Sequence, residues 1–406
     1  LDDDEWTYRT RSGARSADLR NYGIGAQILR ELGVGLMRLM ATPRKMPGSF
    51  LSILAHPNER TLHSMPTPQT GGLAVIGSVV ISLILAASVL AIAQPSKAVL
   101  PKGVASGSLW IVVSMLLIFV VSFIDDCVGL PAVLRLGVQA VSAFIIIGGV
   151  GLTLSSIPIP GGPNILLGIA TIPVSVLVLL WMANLYNFMD GMDGFAGGMT
   201  FFGFGFLAYF GWQAHFPVML IIAVFVAMAA LGFLTHNFPP ARIFMGDAGS
   251  ITVGFLAGTL MILGVRDGIF ELWVPIMIFS PFIVDATITL IWRMLRRKKI
   301  WQAHREHYYQ RLVLSGWTHR RTVLAEYGVM VLCGGLAVLY HHSTDSWRLV
   351  ILGVWVGVFL VLGRLVYKLE QRRTASGTPH SLAATRVSTP VPVVAPQDSP
   401  RVTVKV

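Results

Sequence analysis

Long apolar runs recur along this sequence and constrain its fold more than any other feature. Windows of about 17 to 25 apolar residues match the roughly 30 Å hydrocarbon core of a bilayer. The sequence has ten of them, near 72–93, 107–124, 136–153, 165–186, 196–213, 217–234, 250–265, 271–293, 323–340 and 347–366. The chain is 54% hydrophobic and only 13% charged, which excludes an ordinary soluble domain. We therefore expect an all-α polytopic integral membrane protein with about ten transmembrane helices.

The basic residues indicate how these helices are oriented. If the loop at 125–135 faces the cytoplasm, 27 of the 31 Lys and Arg residues fall on that side, in the segments 1–71, 125–135, 235–249, 293–322 and 364–406. Lys and Arg accumulate in cytoplasmic loops, so this orientation is the predicted one. The net charge of +11 then reflects topology and attraction to anionic lipid and phosphate, and we expect no nucleic-acid partner.

The chain divides into three parts by composition. Residues 1–71 form an N-terminal cytoplasmic or interfacial segment, in which the apolar run at 19–41 carries several arginines and suits a helix lying on the membrane surface. Residues 72–366 form the polytopic domain. Residues 367–406 are poor in aromatics and rich in Ser, Thr and Pro, which predicts a disordered cytoplasmic tail.

Acidic residues are scarce in the apolar part of the chain, and their positions are informative. Only eight lie between residues 72 and 294, and an acid near the bilayer centre costs about 2.5–3.5 kcal/mol. Five of them lie in three loops that the predicted topology places on the cytoplasmic side, namely Asp125, Asp126, Asp190, Asp193 and Asp247. We expect these loops, FIDDCVGL, NFMDGMDG and FMGDAGS, to converge on one site.

The first loop carries adjacent carboxylates, Asp125 and Asp126, at the end of a predicted helix. Such neighbours raise each other's proton affinity unless a cation intervenes, which suits a divalent metal or a proton relay. A solvated helix end without a function is an equally good interpretation.

The second loop combines an amide, two carboxylates and two glycines. If the helical turn continues, Asn187, Asp190 and Asp193 share one face. The glycines, of which Gly191 is one, allow the backbone to approach a ligand closely. Oxygen ligands in this arrangement are typical of a site for a hard cation or a phosphate.

The third loop places Asp247 between two glycines just before an apolar run, with Ser250 available to cap the helix that follows. A helix N-terminus at this point favours phosphate oxygens. A tight glycine turn capped by the aspartate explains the glycines equally well, but not the coincidence with the other acidic loops.

A basic, aromatic loop follows the eighth apolar run. His304 and His307 are one helical turn apart with Arg305 between them, and these side chains suit binding of a diphosphate. A membrane-surface anchor explains the RRKK run at 296–299 but not the HREH spacing. Among the acids between residues 72 and 294, Asp285 is the one in the interior of a predicted span, and we expect it to face this loop, a water-filled cleft or a nearby helix end.

Together these motifs resemble the polyprenyl-phosphate N-acetylhexosamine-1-phosphate transferases, which are glycosyltransferase family 4. The resemblance begins at HPNERTLHSMPTPQTGGLAV (56–75), ends at AHREHYYQRL (303–312) and covers about two thirds of the chain. The family includes phospho-N-acetylmuramoyl-pentapeptide transferase and the enzymes that initiate O-antigen, lipopolysaccharide and related polysaccharides. The resemblance implies transfer of a sugar 1-phosphate from a UDP-N-acetylhexosamine to undecaprenyl phosphate, with release of UMP.

The resemblance also implies a cofactor, a location and an assembly. The expected cofactor is Mg²⁺, which Mn²⁺ can replace, and the expected location is the bacterial inner membrane with the active site facing the cytoplasm. The partners are the UDP-sugar, the polyprenyl phosphate lipid and the membrane, with a homodimer as a further expectation.

Residue roles follow from the resemblance. Catalysis is assigned to Asp125, Asp126, Asp193 and Asp247, and metal binding to Asn187, Asp193 and Asp247. Asp125 or Asp126 would orient or deprotonate the lipid phosphate, and a two-step route with Asp247 as nucleophile stays open. Arg135 would hold the lipid phosphate, and Phe244 would stack on uracil with the Gly191 backbone near the same base. The other substrate-binding residues are Asn187, Asp190, His304, Arg305 and His307.

The sequence departs from the family in two places. The family opens with a transmembrane helix, whereas this chain has the arginine-bearing run at 19–41, so that helix is altered or lost or the N-terminus is not native. The peptidoglycan branch is expected to carry three histidines where this chain has HREH, which favours a polysaccharide-initiating enzyme. The alternatives are the peptidoglycan enzyme, an inactive scaffold, or an ion-coupled transporter, whose site is expected near the midplane between repeats.

Overall fold

The computed structural model describes residues 54–55, 67–93, 102–299 and 304–375, and most of these residues are helical. In chain order the helices are α1 (Gly71–Ala93), α2 (Lys102–Val128), α3 (Ala132–Val150), α4 (Thr171–Met189), α5 (Phe195–Gln213), α6 (Pro217–Asn237), α7 (Gly246–Arg266), α8 (Trp273–Ile278), α9 (Ser280–Leu295), α10 (Tyr308–Leu314), α11 (His319–His342) and α12 (Asp345–Ala375). The strands in these residues form two antiparallel pairs, β1 (Leu54–Ala55) with β2 (Thr67–Pro68), and β3 (Ser156–Ile157) with β4 (Ile165–Leu166).

Among the described residues, eight helices are long and apolar enough to cross a membrane. They are α1, α2, α3, α4, α6, α7, α11 and α12. This confirms the expected all-α polytopic membrane protein. The predicted span at 196–213 is present as α5, but its glycines, together with Tyr209 and Trp212, lower its hydropathy and it is not among the eight.

The prediction of a single span at 271–293 is wrong. The structure has two helices there, α8 and α9, which meet at Phe279. Pro281, near the start of α9, has no N–H to donate to the preceding turn and disfavours helical geometry in the residue before it. The break lies roughly one third of the way along the predicted span.

Two predicted terminal segments fall mostly outside the described residues. Of the predicted segment 1–71, the structure describes only residues 54–55 and 67–71, so the proposed surface helix at 19–41 lies outside them. The predicted tail was placed at 367–406, but α12 continues to Ala375, and residues 376–406 are not described.

Helix α7 is the centre of the bundle. In its apolar window 94% of the residues are buried, and it packs against α4, α2 and α1. Two glycines bring α1 and α7 together, because a Cβ on Gly72 would collide with the backbone of Gly249 and a Cβ on Gly249 would lie 2.6 Å from the Cα of Gly72. The first turn of this central helix carries Asp247, so the packing of the bundle positions that side chain.

Candidate active site

Three acidic or amide-bearing segments meet where α2, α4 and α7 end or begin. Asn187, in the last turn of α4, donates its side-chain N–H to Asp247 Oδ1 at 2.6 Å and to Ser250 Oγ at 3.2 Å. Asp126, near the end of α2, accepts the backbone N–H groups of Asp247 and Ala248, each at 2.9 Å. The expected convergence of the three acidic loops is thereby confirmed.

The N-terminus of α7 is capped differently from the prediction. Ser250 lies inside the helix and donates to the Gly246 carbonyl at 2.9 Å, so the prediction that it caps the helix is wrong. The carboxyl group of Asp126 takes that role, since its two oxygens accept two of the backbone N–H groups that the first turn of a helix leaves without intrahelical partners. The prediction that phosphate oxygens bind at this helix terminus stays a prediction, because the acceptor in the structure is a carboxyl group of the protein.

Arg135 in α3 bridges two carboxylates with a single nitrogen. Its Nη1 lies 2.9 Å from Asp125 Oδ2 and 3.0 Å from Asp247 Oδ2. Asp125 is buried, whereas a third of the Arg135 side chain is exposed. The guanidinium therefore offsets the repulsion between two acids from different helices and keeps an exposed surface for an anionic ligand.

The loop after α4 does not continue the helix. Helix α4 ends at Met189 and Asp190 follows as its partly exposed C-cap, so the expectation that Asp193 shares a helical face with Asn187 is wrong. Asp193 accepts the backbone N–H of Ala241 at 3.0 Å and lies 3.5 Å from His319 Nδ1. Sequence reasoning missed His319, which stood in the basic WTHRR run without a recognisable spacing.

Asn237 joins the loop after α4 to the loop that carries Phe244. It is buried, accepts the Gly194 backbone N–H at 2.9 Å and donates to the Ile243 carbonyl at 2.9 Å. Phe244 itself is partly exposed; its backbone N–H donates to the Pro68 carbonyl in β2, and its carbonyl accepts the N–H of Gly71 at the start of α1. Sequence reasoning missed Asn237 as well, because an amide side chain at the end of an apolar run can have many different structural roles.

The HREH loop contacts the loop after α4 at Gly191. A Cβ on Gly191 would collide with the Tyr309 hydroxyl and lie 3.7 Å from Gln310 Nε2, so the start of α10 rests on the glycine. His307 is almost fully buried, with Nδ1 3.1 Å from Asp285 Oδ1, which confirms the HREH loop as the partner of Asp285. His304 and Arg305 are partly exposed.

The donor set at this site fits a divalent cation by its chemistry. Carboxylate and amide oxygens are ligands that Mg²⁺ prefers, and the Arg135 guanidinium already shows that Asp125 and Asp247 accept a positive group between them. Within the part of the chain that the structure describes, no three His, Cys, Asp or Glu side chains are grouped to hold a metal ion. Of the predicted ligands, Asn187 and Asp247 are in direct contact, while Asp193 contacts Ala241 and His319.

The region of the chain that forms this site matches a known protein family. The pattern described as glycosyl transferase family 4 matches residues 108–265, a region that contains all four acids assigned to catalysis and Asn187. Phospho-N-acetylmuramoyl-pentapeptide-transferase of Synechococcus sp. (strain JA-3-3Ab) is 30% identical over 264 residues, which are 60% of this chain and 75% of that protein. The chain belongs to glycosyl transferase family 4.

Two further relatives within family 4 match a larger share of the chain. Decaprenyl-phosphate N-acetylglucosaminephosphotransferase of Mycolicibacterium smegmatis is 29% identical over 87% of this chain and 89% of that protein. A probable undecaprenyl-phosphate N-acetylglucosaminyl 1-phosphate transferase of Bacillus subtilis is 27% identical over 77% of this chain and 81% of that protein. A pattern described as GTP cyclohydrolase II matches residues 4–49, which lie outside the described residues. Membership of family 4 argues against the ion-coupled transporter.

Proposed function

We propose that the protein transfers N-acetylhexosamine 1-phosphate from a UDP-sugar to undecaprenyl phosphate, releasing UMP, as the first membrane step of a cell-surface polysaccharide. The observation that carries this proposal is the junction of Asp125, Asp126, Asn187 and Asp247 at the ends of three membrane helices, bridged by Arg135. A lipid phosphate in a bilayer presents its charge at the depth of such helix ends.

The reaction joins two anions. An oxygen of the lipid phosphate forms a bond to the β-phosphorus of the UDP-sugar, and the bond between that phosphorus and the UMP oxygen breaks. The second pKa of a phosphate monoester is about 6, so the acceptor is largely ionised at neutral pH and a base has little to remove. We therefore assign Asp125 and Asp126 mainly to holding Arg135 and the start of α7, and Arg135 to the lipid phosphate.

The metal expected in this site is Mg²⁺, which would neutralise the diphosphate and the leaving UMP when bound. Asp247 and Asn187 would hold it through their side-chain oxygens, for which the Asn187 amide would have to turn, because in the structure its N–H group donates to Asp247 at 2.6 Å. Asp193 was assigned to the metal by resemblance, and we propose instead that it joins the loop after α6 to His319 at the start of α11.

The sugar branch is inferred from two observations. The N-acetylglucosamine phosphotransferase of M. smegmatis matches over 87% of this chain, whereas the muramoyl-pentapeptide transferase of Synechococcus matches over 60%. The last loop reads HREH, where the peptidoglycan branch is expected to carry three histidines. UDP-N-acetylglucosamine is therefore the proposed donor, and the cytoplasmic face of a bacterial inner membrane the proposed place, following the distribution of basic residues.

The test is UMP release by detergent-purified protein from UDP-N-acetylglucosamine, with and without undecaprenyl phosphate and Mg²⁺. Release should require both additions and be lost in Asp247→Asn. Asp267→Asn is the matched control, because Asp267 pairs with Arg266 at the opposite end of α7. Activity only with the muramoyl-pentapeptide donor would assign the chain to the peptidoglycan branch, and no activity with any UDP-sugar would overturn the proposal.

A further inference from the structure

Helix α9 buries a polar face and exposes an apolar one. Asp285, Thr289 and Arg293 follow each other at four-residue intervals and are 8%, 5% and 4% exposed, respectively. Ile291 and Trp292, on the other side, are exposed. In a membrane helix, buried charges of this kind require protein partners. Here the partners lie in the segment that contains HREH.

Asp285 binds the start of α10. Its Oδ1 accepts the Tyr308 backbone N–H at 2.9 Å and lies 3.1 Å from His307 Nδ1, and its Oδ2 accepts the Tyr309 backbone N–H at 3.2 Å. The carboxylate caps a helix of another segment and holds one nitrogen of the His307 ring. Because Asp285 holds Nδ1, helix α9 fixes the orientation of the buried His307 ring.

Arg293 binds the other side of the same segment. Its Nη1 donates to Glu306 Oε1 at 2.6 Å and its Nη2 to the Lys299 carbonyl at 2.8 Å. Lys298 adds a second bond to Glu306 at 2.9 Å. Partial burial raises the pKa of the Glu306 carboxyl, but the bond from Lys298 and the two positive charges lower it by more, so Glu306 remains ionised and paired.

These contacts divide the HREH residues into two kinds. Glu306 and His307 are bound to Arg293 and Asp285 from the inside, and His307 is only 3% exposed. His304 and Arg305 are partly exposed on the preceding positions. Asp285 and Arg293 lie eight residues apart on one face of α9 and contact His307 and Glu306 of the loop, respectively. A shift of the loop by one residue would break both contacts.

We propose that Asp285 and Arg293 are positioning residues that hold the HREH segment so that His304 and Arg305 meet the diphosphate of the nucleotide-sugar donor, with Glu306 and His307 as anchors. This inference rests on the proposed function and adds residues of α9 to the site. A guanidinium and an imidazole held in advance bind a diphosphate without first ordering the loop. In the earlier interpretation His307 was a direct ligand, whereas this arrangement makes it primarily an anchor.

The first test does not depend on activity. Hydrogen–deuterium exchange of purified protein is compared among the wild type, Asp285→Ala and Ile291→Ala, the last on the exposed face of α9. The amides of Tyr308 and Tyr309 should exchange at least about tenfold faster in Asp285→Ala only, because they lose their acceptor, while amides of α7 keep their protection. Unchanged exchange at Tyr308 and Tyr309 would overturn the positioning role.

The second test is kinetic. Asp285→Ala should raise the KM for UDP-N-acetylglucosamine about ten- to a hundredfold and leave the KM for undecaprenyl phosphate within about twofold. Asp285→Asn, which keeps one oxygen acceptor, should recover part of the loss. Equal effects on both KM values, with kcat reduced in proportion to folded protein, would indicate a merely structural role.

A double-mutant cycle completes the test. If Asp285 acts through the loop, Arg305→Ala should cost a smaller factor in the Asp285→Ala background than in the wild type, since the guanidinium is already misplaced. Additive losses would contradict the proposal. A wild type that shows no transfer would remove the proposed function, while the exchange experiment would still decide whether Asp285 holds the segment.

Discussion

Asp126 accepts two backbone N–H groups from the first turn of α7, at Asp247 and Ala248, and so binds the start of the central helix from α2. Asp247 is thereby held by a residue 121 positions earlier in the chain. The resemblance implied that Asp125 or Asp126 orients or deprotonates the lipid phosphate. The geometry instead supports a role in orienting Asp247.

Asp126→Ala should lower both stability and activity. The variant removes a cap, which costs about 0.5–2 kcal/mol, and releases the turn that carries Asp247. Asp126→Asn keeps an oxygen acceptor and should retain more stability than the alanine variant, with activity reduced. The measurements are thermal unfolding in detergent and initial rates of UMP release. Equal unfolding temperatures for wild type and Asp126→Ala would exclude the capping role.

Arg135→Lys should impair use of the lipid substrate more than use of the donor. Lysine keeps the charge but cannot present a planar fork, so it loses the shared contact with Asp125 and Asp247 or the contact with phosphate. The KM for undecaprenyl phosphate should rise about tenfold, equivalent to about 1.4 kcal/mol, with the donor KM nearly unchanged. Arg266→Lys, which alters an ion pair at the far end of α7, is the control. A selective rise in donor KM would assign Arg135 to the UDP-sugar.

Gly191→Ala should disrupt the contact between the loop after α4 and the start of α10. The new methyl group would collide with the Tyr309 hydroxyl, so the Tyr309 side chain or one of the two segments must move. Gly205→Ala in α5 is the matched control, because its Cβ would meet open space. Activity should fall at least about tenfold in Gly191→Ala, and the double variant with Tyr309→Phe should recover part of it. No recovery would place the cause elsewhere, for example at a base bound next to Gly191.

The sequence allowed the convergence of the site to be predicted because helix parity is a long-range rule that needs no contacts. Acids in the loops after α2, α4 and α6 had to lie on one side, and the contacts among Asp126, Asn187 and Asp247 agree. The residues that cap the helix ends were harder to predict from the sequence. Ser250 was chosen as a cap because it was near in sequence, whereas the cap comes from Asp126 in another helix.

The remaining errors have local causes. The face shared by Asn187 and Asp193 depended on a helix that ends at Met189, where the flexible Gly191 follows the cap. The prediction of a single span at 271–293 did not take the effect of Pro281 on the helix into account. Asn237 escaped notice because one of its two partners, Gly194, is 43 residues away, and His319 because it pairs with Asp193 of another loop; no spacing in the sequence points to either contact.

Because α1 and α7 are in contact at glycine residues, we expect Gly→Ala to change the stability in opposite directions at two positions of α1. Gly→Ala within a helix ordinarily stabilises it by about 0.5–1 kcal/mol, and Gly77→Ala should behave in this way or be neutral because its Cβ meets open space. Gly72→Ala should instead lower the unfolding temperature, since its Cβ collides with the backbone of Gly249 and backbone cannot rotate away as a side chain can. Thermal unfolding of the two variants in the same detergent measures both effects.

The same pair of variants links packing to the site. Gly249 lies two residues after Asp247, so a displacement of α7 away from α1 moves Asp247 relative to Asn187, which is fixed on α4. Gly72→Ala should therefore lose activity at temperatures where it is still folded, and Gly77→Ala should not. If Gly72→Ala keeps full activity below its unfolding temperature, the contact stabilises the bundle without positioning the acid.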